Sequence, residues 1–367
     1  MRKILFRLLY FIPIPLFMMG IIYFTDQMNL FDRGIISALS EKIVKAPYVD
    51  IITDELKNGY NVTNVGEYDT RLLQKYFILK LKKCPNTIVL GSSRVKLINE
   101  SMLNENSFSN SGVNGASLED LIGLYYLYEE KGCLPKEVLI GLDPWILNEN
   151  NSLTKWKTIE SEYYSICNKL FKSDNPNYPY LNHSSLTSFK NLFSYKYFNS
   201  SIQYLKINIE KKYMRTNKKE NEKLTLLPNG TATYSSKMRN GSQEYVDMKA
   251  QKMIESEEGN TLSNFKKLSE RHTAVFSKFI EYLQSKKIKV IFYFSPFHPV
   301  VYKTIETKQK YQIALEAEKY FKKFATTHQI KTIGAYDPNL SNLTKKDFAD
   351  GVHLQEKGIE KIFRQYQ

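Results

Sequence analysis

The chain is poor in the residue types from which metal sites and disulfide frameworks are built. Its 367 residues include three cysteines and five histidines, and no pair of them has the spacing of a zinc site. The sequence also lacks a nucleic-acid-binding motif, an internal repeat and a coiled-coil pattern. We therefore expect neither a metal ion nor another cofactor, and no nucleic-acid partner.

Acidic residues are scarce relative to basic ones, which gives a formal net charge of +14. The basic residues are dispersed, for example over residues 206–223 and 266–289. A basic exterior suits an anionic membrane surface or an anionic polymer of the cell envelope. A solvated, lysine-rich surface without a particular partner explains the charge equally well, and both interpretations stay open.

Long uncharged runs are rare, and the most prominent lies at the N-terminus. No charged residue occurs from Leu8 to Thr25, and three basic residues precede this stretch. A membrane-spanning helix needs roughly 17–25 mostly apolar residues, and a basic flank favours the cytoplasmic side. No small-x-small cleavage pattern follows, so residues 1–26 are predicted to be an uncleaved anchor with the rest of the chain outside the cytoplasmic membrane. A core helix is the alternative.

Strand-like and helix-like segments alternate in most of the remaining chain. Residues 27–84 are predicted to be a mostly helical lead-in, and residues 85–367 to be one α/β domain with an insertion at about 150–260. Alternation of this kind predicts a parallel sheet with helices on both faces. The predicted strands are Thr87–Leu90, Ser107–Asn110, Glu137–Leu142, Lys289–Phe294 and Ile330–Ile333.

Two of the three cysteines each precede a predicted strand. Cys84 comes just before the first strand of the domain, and Cys133 just before the third. If those strands are parallel neighbours, both cysteines lie at the same edge of the sheet. A disulfide between them is then geometrically reasonable and fits an oxidising compartment. Two free buried thiols are the alternative.

Side chains that could take part in catalysis follow the predicted strands. The carboxyl ends of parallel strands share one edge of the sheet, where ligands bind. Ser93 follows the first strand, and Asp350 and His353 lie near the C-terminus. These three residue types are the nucleophile, the orienting carboxylate and the base of a serine acyl-transfer enzyme. The spacing of three residues allows the carboxylate to reach the imidazole Nδ1–H, which leaves Nε2 for the serine.

These segments resemble the conserved blocks of the SGNH hydrolase superfamily of esterases and acyltransferases. The Gly-Ser-Ser block that ends at Ser93 is similar to the nucleophile block, and the turn that ends at Gly115 is similar to the glycine block. Asp350 and His353 match the final Asp-x-x-His block. The resemblance implies a three-layer, flavodoxin-like fold with Ser93 as nucleophile. It also implies that the amides of Ser93 and Gly115 line an oxyanion hole.

The third block of that family is Gly-x-Asn, and this chain departs from it at Asp143. An ionised aspartate only accepts hydrogen bonds, so it cannot donate to a developing oxyanion as asparagine does. Three accounts remain open: Asp143 is protonated, it points away to fix a loop, or the protein is a poor hydrolase.

An Asp-Pro pair after the glycine resembles a branch of membrane-anchored, extracytoplasmic proteins related to DltD and to polysaccharide O-acetylation proteins. Arg94 and the Ser-Pro-x-His-Pro run around His298 are similar to that branch as well. We expect both side chains to contact substrate. For His298, an exposed loop residue is an equal alternative, and for Arg94 a structural contact is also open.

The resemblance implies a serine acyltransferase that modifies hydroxyl groups of a cell-envelope polysaccharide or a teichoic-acid-like polymer, with acetyl as the expected acyl group. A membrane-bound O-acyltransferase is the expected donor partner. A carbohydrate esterase with the same three residues is one alternative. A non-catalytic, polymer-binding envelope assembly protein is the other.

Overall fold

A computed structural model of the chain describes most of the predicted domain. The described residues are 13–25, 48–66, 68–171, 213–255, 262 and 264–366, with several positions between 192 and 202. The predicted anchor over residues 1–26 and the predicted lead-in therefore lie partly outside the described residues. Within the described part of the chain, no helix is long and apolar enough to cross a membrane.

Helices make up much of the described chain. In chain order they are α1 Pro13–Thr25, α2 Tyr48–Lys57, α3 Thr70–Leu79, α4 Glu100–Leu103, α5 Leu118–Glu130, α6 Glu160–Phe171, α7 Ser236–Arg239, α8 Gln243–Glu255, α9 Glu270–Ser285, α10 Pro299–Thr307, α11 Gln309–Thr327 and α12 Glu356–Arg364. Short 3₁₀ turns occur at Ser93–Val95, Pro144–Leu147, Lys155–Ile159, Pro338–Ser341 and Lys345–Asp347.

Two sheets are formed by the strands of the described residues. The strands are β1 Asn61–Thr63, β2 Thr87–Leu90, β3 Phe108–Asn110, β4 Glu137–Gly141, β5 Met214–Thr216, β6 Thr225–Leu226, β7 Ala232–Thr233, β8 Lys289–Phe294 and β9 Lys331–Gly334.

The larger sheet has five strands in the order β3-β2-β4-β8-β9, and every pairing in it is parallel. Counted along the chain, this is the order 2-1-3-4-5 of flavodoxin-like, doubly wound sheets. The predicted parallel sheet is therefore confirmed, with strand ends within a residue or two of the predicted ones.

Both faces of this sheet are covered, which explains why its strands are continuous apolar runs instead of alternating ones. Ile88 and Leu90 of β2 belong to a core cluster with residues of α5, α9 and α11. Val89, between them, belongs to a second cluster that includes Ile359 and Ile362 of α12. Successive residues of β2 thus pack against opposite helical layers, as the period of two along a strand requires.

The smaller sheet was not predicted. It has the order β5-β1-β6-β7 and is antiparallel, with Asn61 opposite Thr216 and Val62 opposite Leu226. One strand comes from the lead-in and three come from the insertion. Because these strands are only two or three residues long, they carry no recognisable alternation. The lead-in therefore contains a strand as well as helices.

Cys84 and Cys133, the pair suggested by the sequence, form a disulfide with an S–S distance of 2.05 Å. They lie before β2 and before β4, at the amino edge of the larger sheet. Cys167 is a free, buried thiol in α6, and burial raises its pKa to about 12. That thiol is therefore a poor nucleophile at neutral pH.

Candidate active site

The turn after β2 presents a serine at the carboxyl edge of the larger sheet. Gly91 leaves the strand, and a Cβ atom at this position would lie 2.8 Å from Val95 Cγ1, so only glycine fits without a shift. Ser92 then caps the short 3₁₀ turn, because its hydroxyl accepts a hydrogen bond from the Arg94 amide at 3.2 Å. Ser93 begins that turn and is partly exposed, unlike its two buried neighbours.

His353 reaches this serine from a loop close to the C-terminus. Its Nε2 lies 2.8 Å from Ser93 Oγ, although the two residues are 260 positions apart in the chain. Its Nδ1 lies 2.8 Å from Asp350 Oδ2. The loop keeps the carboxylate in place, because the amides of Val352 and His353 both donate to Asp350 Oδ1 at 2.9 Å.

The ionisation of Asp350 determines which ring nitrogen of His353 carries the proton. Burial by itself would raise the pKa of Asp350, but the nearby His353 and the hydrogen bonds to the carboxylate lower it to about 2. The carboxylate is ionised at neutral pH and can only accept. Nδ1 of neutral His353 therefore carries the hydrogen, and Nε2 accepts the hydrogen bond from the Ser93 hydroxyl.

The predicted glycine block runs beside the nucleophile turn. The amide of Val113 donates to Gly91 O at 2.9 Å, which places the loop after β3 alongside the end of β2. Gly115 follows with a φ of +56°, in the left-handed region that favours glycine. The amides of Ser93 and Gly115 donate no hydrogen bond to any residue that the structure describes.

Asp143, the residue at which the third block departs from the family pattern, forms a buried ion pair with Arg94. Its Oδ1 lies 2.7 Å from Arg94 Nη1, and both side chains are almost completely buried. Burial raises the pKa of Asp143, while Arg94 and the Ser92 hydroxyl oppose this by favouring the ionised form. Of the three accounts, the geometry favours the one in which Asp143 points away and fixes a loop.

Arg94 connects the segments that meet at this edge. Besides Asp143, its guanidinium donates to Val352 O at 3.1 Å and to Pro296 O at 2.8 Å, and it also bonds to the carbonyl of Ser295. These contacts favour the structural role that the sequence left open for Arg94. Its donors hold the carboxyl ends of β4 and β8 and the His353 loop together around Ser93.

His298 is likewise buried, with none of its surface exposed, so it is not the exposed loop residue of the alternative interpretation. Its ring accepts a hydrogen bond from the Val300 amide at 3.4 Å and thereby caps α10. Its own amide donates to Gly351 O at 3.1 Å, inside the Asp350–His353 loop. Burial lowers the pKa of His298 below its usual value. His298 therefore supports the Asp350–His353 loop from the protein interior.

Tyr234 belongs to the site but had no sequence signal. Its ring meets that of His353 edge-to-face, with centroids 6.0 Å apart and an angle of 81° between the planes. It is 6 % exposed and comes from the insertion, just after β7. No local pattern distinguishes Tyr234 from the many other tyrosines of the chain, because its position depends on how the small sheet packs.

Comparisons with known proteins add little to this geometry. No protein-family model and no curated protein matches the chain. Among solved structures, it is similar to a Bacteroides fragilis protein described as a candidate acylhydrolase, with 12 % identity and a TM-score of 0.37. The alignment covers 82 % of this chain and 97 % of that one. At this TM-score, the interpretation of the site rests on its own contacts.

Proposed function

We propose that the protein is a serine acyl-transfer enzyme in which Ser93 is the nucleophile, His353 the general base and Asp350 the residue that orients the base. One observation carries this proposal. Ser93 Oγ lies 2.8 Å from His353 Nε2, and the opposite ring nitrogen lies 2.8 Å from Asp350 Oδ2. A hydroxyl, an imidazole and a carboxylate in this order are the arrangement that activates a serine.

The proposed reaction has two steps, acylation of Ser93 and transfer of the acyl group to an acceptor. Ser93 Oγ attacks the acyl carbonyl of the donor, and its proton passes to His353 Nε2. The carbonyl oxygen becomes an oxyanion near the amides of Ser93 and Gly115. When the intermediate collapses, the bond to the leaving group breaks, the leaving group takes the proton from His353, and an ester on Ser93 remains. In the second step an acceptor hydroxyl gives its proton to His353, and its oxygen attacks the acyl carbonyl. The bond between the acyl carbon and Ser93 Oγ then breaks, and His353 returns the proton to Ser93.

The proposed acceptor is a hydroxyl group of a cell-envelope polysaccharide or a teichoic-acid-like polymer, and the proposed acyl group is acetyl. The resemblance of the block Gly141-Leu142-Asp143-Pro144 to the branch related to polysaccharide O-acetylation proteins supports this choice. The Cys84–Cys133 disulfide supports an oxidising, extracytoplasmic location. The net charge of +14 suits an anionic polymer.

The proposed anchoring and partner rest on the sequence of the first 26 residues and on the same resemblance. An N-terminal helix that spans the membrane, with the N-terminus inside, would hold the domain beside a membrane-bound O-acyltransferase. That partner would supply the acyl group from across the bilayer. Ser93 would then pass it to the polymer.

A carbohydrate esterase is the second candidate, because the same three residues also support hydrolysis. Aspartate in place of asparagine at position 143 removes one side-chain donor from the family's usual oxyanion hole, and Asp143 pairs with Arg94 instead. One such donor contributes on the order of 10²–10³ in rate. We therefore favour transfer of an acyl group from an activated donor over efficient hydrolysis of a stable ester.

The test is to incubate the full-length, detergent-solubilised protein with p-nitrophenyl acetate and to follow its intact mass. We expect one acetyl group to appear on Ser93, located by peptide fragmentation. Ser93→Ala and His353→Ala should abolish the adduct. Ser101→Ala and His328→Ala are the matched controls, because these residues lie away from the site, and both variants should acetylate like the wild type.

The fate of the adduct separates the candidates. Faster loss of the acetyl group with a polysaccharide acceptor than with water alone identifies a transferase, whereas equal loss identifies an esterase. A folded wild-type protein that gains no adduct contradicts the acyl-transfer proposal and leaves the polymer-binding alternative.

A further inference from the structure

The predicted oxyanion loop is held from behind by the first turn of α3, a helix of the lead-in. Thr70 Oγ1 accepts a hydrogen bond from the Asn114 amide at 3.2 Å. Arg71 Nη1 donates to Asn114 O at 2.7 Å, and Arg71 Nη2 donates to Gly115 O at 2.9 Å. Three backbone groups of the loop, the Asn114 amide and the carbonyls of Asn114 and Gly115, are therefore bonded to two neighbouring side chains of one helix.

Arg71 is itself fixed by an ion pair. Its Nε and Nη2 donate to the two carboxylate oxygens of Asp120 at 2.8 and 2.7 Å. The two side chains are 1 % and 0 % exposed. Asp120 also accepts from the Ser117 amide at 2.8 Å, as part of the capping box that begins α5. The guanidinium plane is therefore tied to the start of a core helix and has little freedom to move.

One of these contacts acts directly on the proposed oxyanion donor. The carbonyl of Asn114 and the amide of Gly115 belong to the same peptide group, which is planar and trans, so the two point in opposite directions. When Arg71 holds the carbonyl, it also sets the direction of the Gly115 N–H. A charged donor on the carbonyl oxygen polarises the peptide as well, which makes its N–H a stronger donor.

We propose that Arg71, assisted by Thr70, is a positioning residue that aims and polarises the Gly115 amide toward the oxyanion. This proposal rests on the function proposed above. Neither side chain touches the acyl group, and both act through the Asn114–Gly115 peptide. A segment predicted to be only a connection between an anchor and a domain thus supplies part of the catalytic apparatus, and a domain that begins at residue 85 would lack it.

The test measures how fast a fluorophosphonate labels Ser93 in the full-length protein. In this reaction Ser93 Oγ forms a bond to phosphorus, fluoride leaves, and the hydroxyl proton goes to His353. The phosphoryl oxygen gains negative charge where the acyl oxyanion would lie. The labelling rate therefore measures how well the oxyanion hole stabilises that charge. The first variant is Arg71→Lys, which keeps the positive charge but loses the planar guanidinium that bonds to two carbonyls. The second is Thr70→Val, which is close in shape but accepts no hydrogen bond.

Lys75→Met is the matched control. Lys75 lies on the same helix and pairs with Glu162 at 2.5 Å, away from the loop. We expect Arg71→Lys to label about tenfold to hundredfold more slowly than this control, and Thr70→Val to label severalfold more slowly. With p-nitrophenyl acetate, kcat calculated per folded protein should fall by a similar factor while KM stays the same. The calculation is needed because loss of folded protein alone also lowers the apparent kcat, whereas it does not change the rate constant of labelling.

The outcomes separate the two proposals. A folded wild-type protein that is not labelled overturns both of them. A labelled wild type, with Arg71→Lys as fast as Lys75→Met, overturns only the role of Arg71. If Arg71→Lys does not fold, Thr70→Val decides, and an unchanged labelling rate in folded Thr70→Val contradicts the positioning role of this turn.

Discussion

Residue 143 is where this site departs furthest from the family it resembles. An asparagine there would donate to the oxyanion, whereas Asp143 is buried against Arg94 at 2.7 Å. Breaking a buried ion pair by removing one partner is costly, because the other charge is left without compensation. Arg94 also bonds to three backbone carbonyls around Ser93. The side chain at position 143 therefore does not donate to an oxyanion, and its pairing with Arg94 gives rigid support beneath Ser93.

Asp143→Asn tests this interpretation, because it restores the family's asparagine. We expect the variant to lose about 1–3 kcal/mol of unfolding free energy, since Arg94 loses its charged partner. We also expect no gain in kcat with p-nitrophenyl acetate. Urea unfolding and steady-state kinetics provide the two measurements.

Glu137→Gln is the control for this change. Glu137 lies at the opposite end of β4 and pairs with Lys289 at 2.6 Å near the surface. This variant should change neither kcat nor stability by much, because exposed pairs contribute little. A clear rise in the kcat of Asp143→Asn would show that residue 143 can reach the oxyanion and would contradict the supporting role.

At the scale of elements, a tight turn attaches the small sheet to the large one. The turn Leu227–Gly230 leads from β6 to β7. The Asn110 amide at the end of β3 donates to Asn229 O at 2.9 Å. Gly230 has a φ of +86°, and a Cβ atom there would lie only 2.1 Å from Asn110 O. The contact therefore depends on a glycine, and Tyr234 approaches His353 just beyond it.

Gly230→Ala should disrupt this attachment. Gly132→Ala is its matched control, because Gly132 also has a positive φ, +75°, but nothing lies within 4 Å of its added Cβ. The control should lose about 1–2 kcal/mol through backbone strain alone. Gly230→Ala should lose at least that much plus the cost of displacing β3 from the turn, measured by urea unfolding. Equal losses in the two variants would contradict the close packing of the sheets.

At the scale of the whole molecule, the two edges of the large sheet carry different features. The carboxyl edge carries Ser93 and the loop of His353. The amino edge carries the Cys84–Cys133 disulfide, which closes a segment of the chain with a sequence separation of 49. A cross-link of this length stabilises mainly by restricting the unfolded chain. Stability and chemistry can therefore be changed separately.

Replacement of both cysteines, Cys84→Ala with Cys133→Ala, should lower the unfolding free energy by on the order of 2–4 kcal/mol. At temperatures where both proteins are folded, the labelling rate of Ser93 should stay the same. A reductant supplies the control: it should lower the denaturation midpoint of the wild type and leave that of the double variant unchanged. A wild-type midpoint that does not respond to reductant would contradict the stabilising role.

The sequence by itself determined the parallel sheet, because its buried strands are continuous apolar runs separated by helical segments. It also located Ser93, Asp350 and His353, since each belongs to a short local motif. The smaller sheet could not be predicted, because its strands are too short to show a pattern. The pairing of Asp143 with Arg94, and the contact of Tyr234 with His353, were decided only by the tertiary structure. Each joins segments that are far apart in the chain, and such contacts leave no local signal.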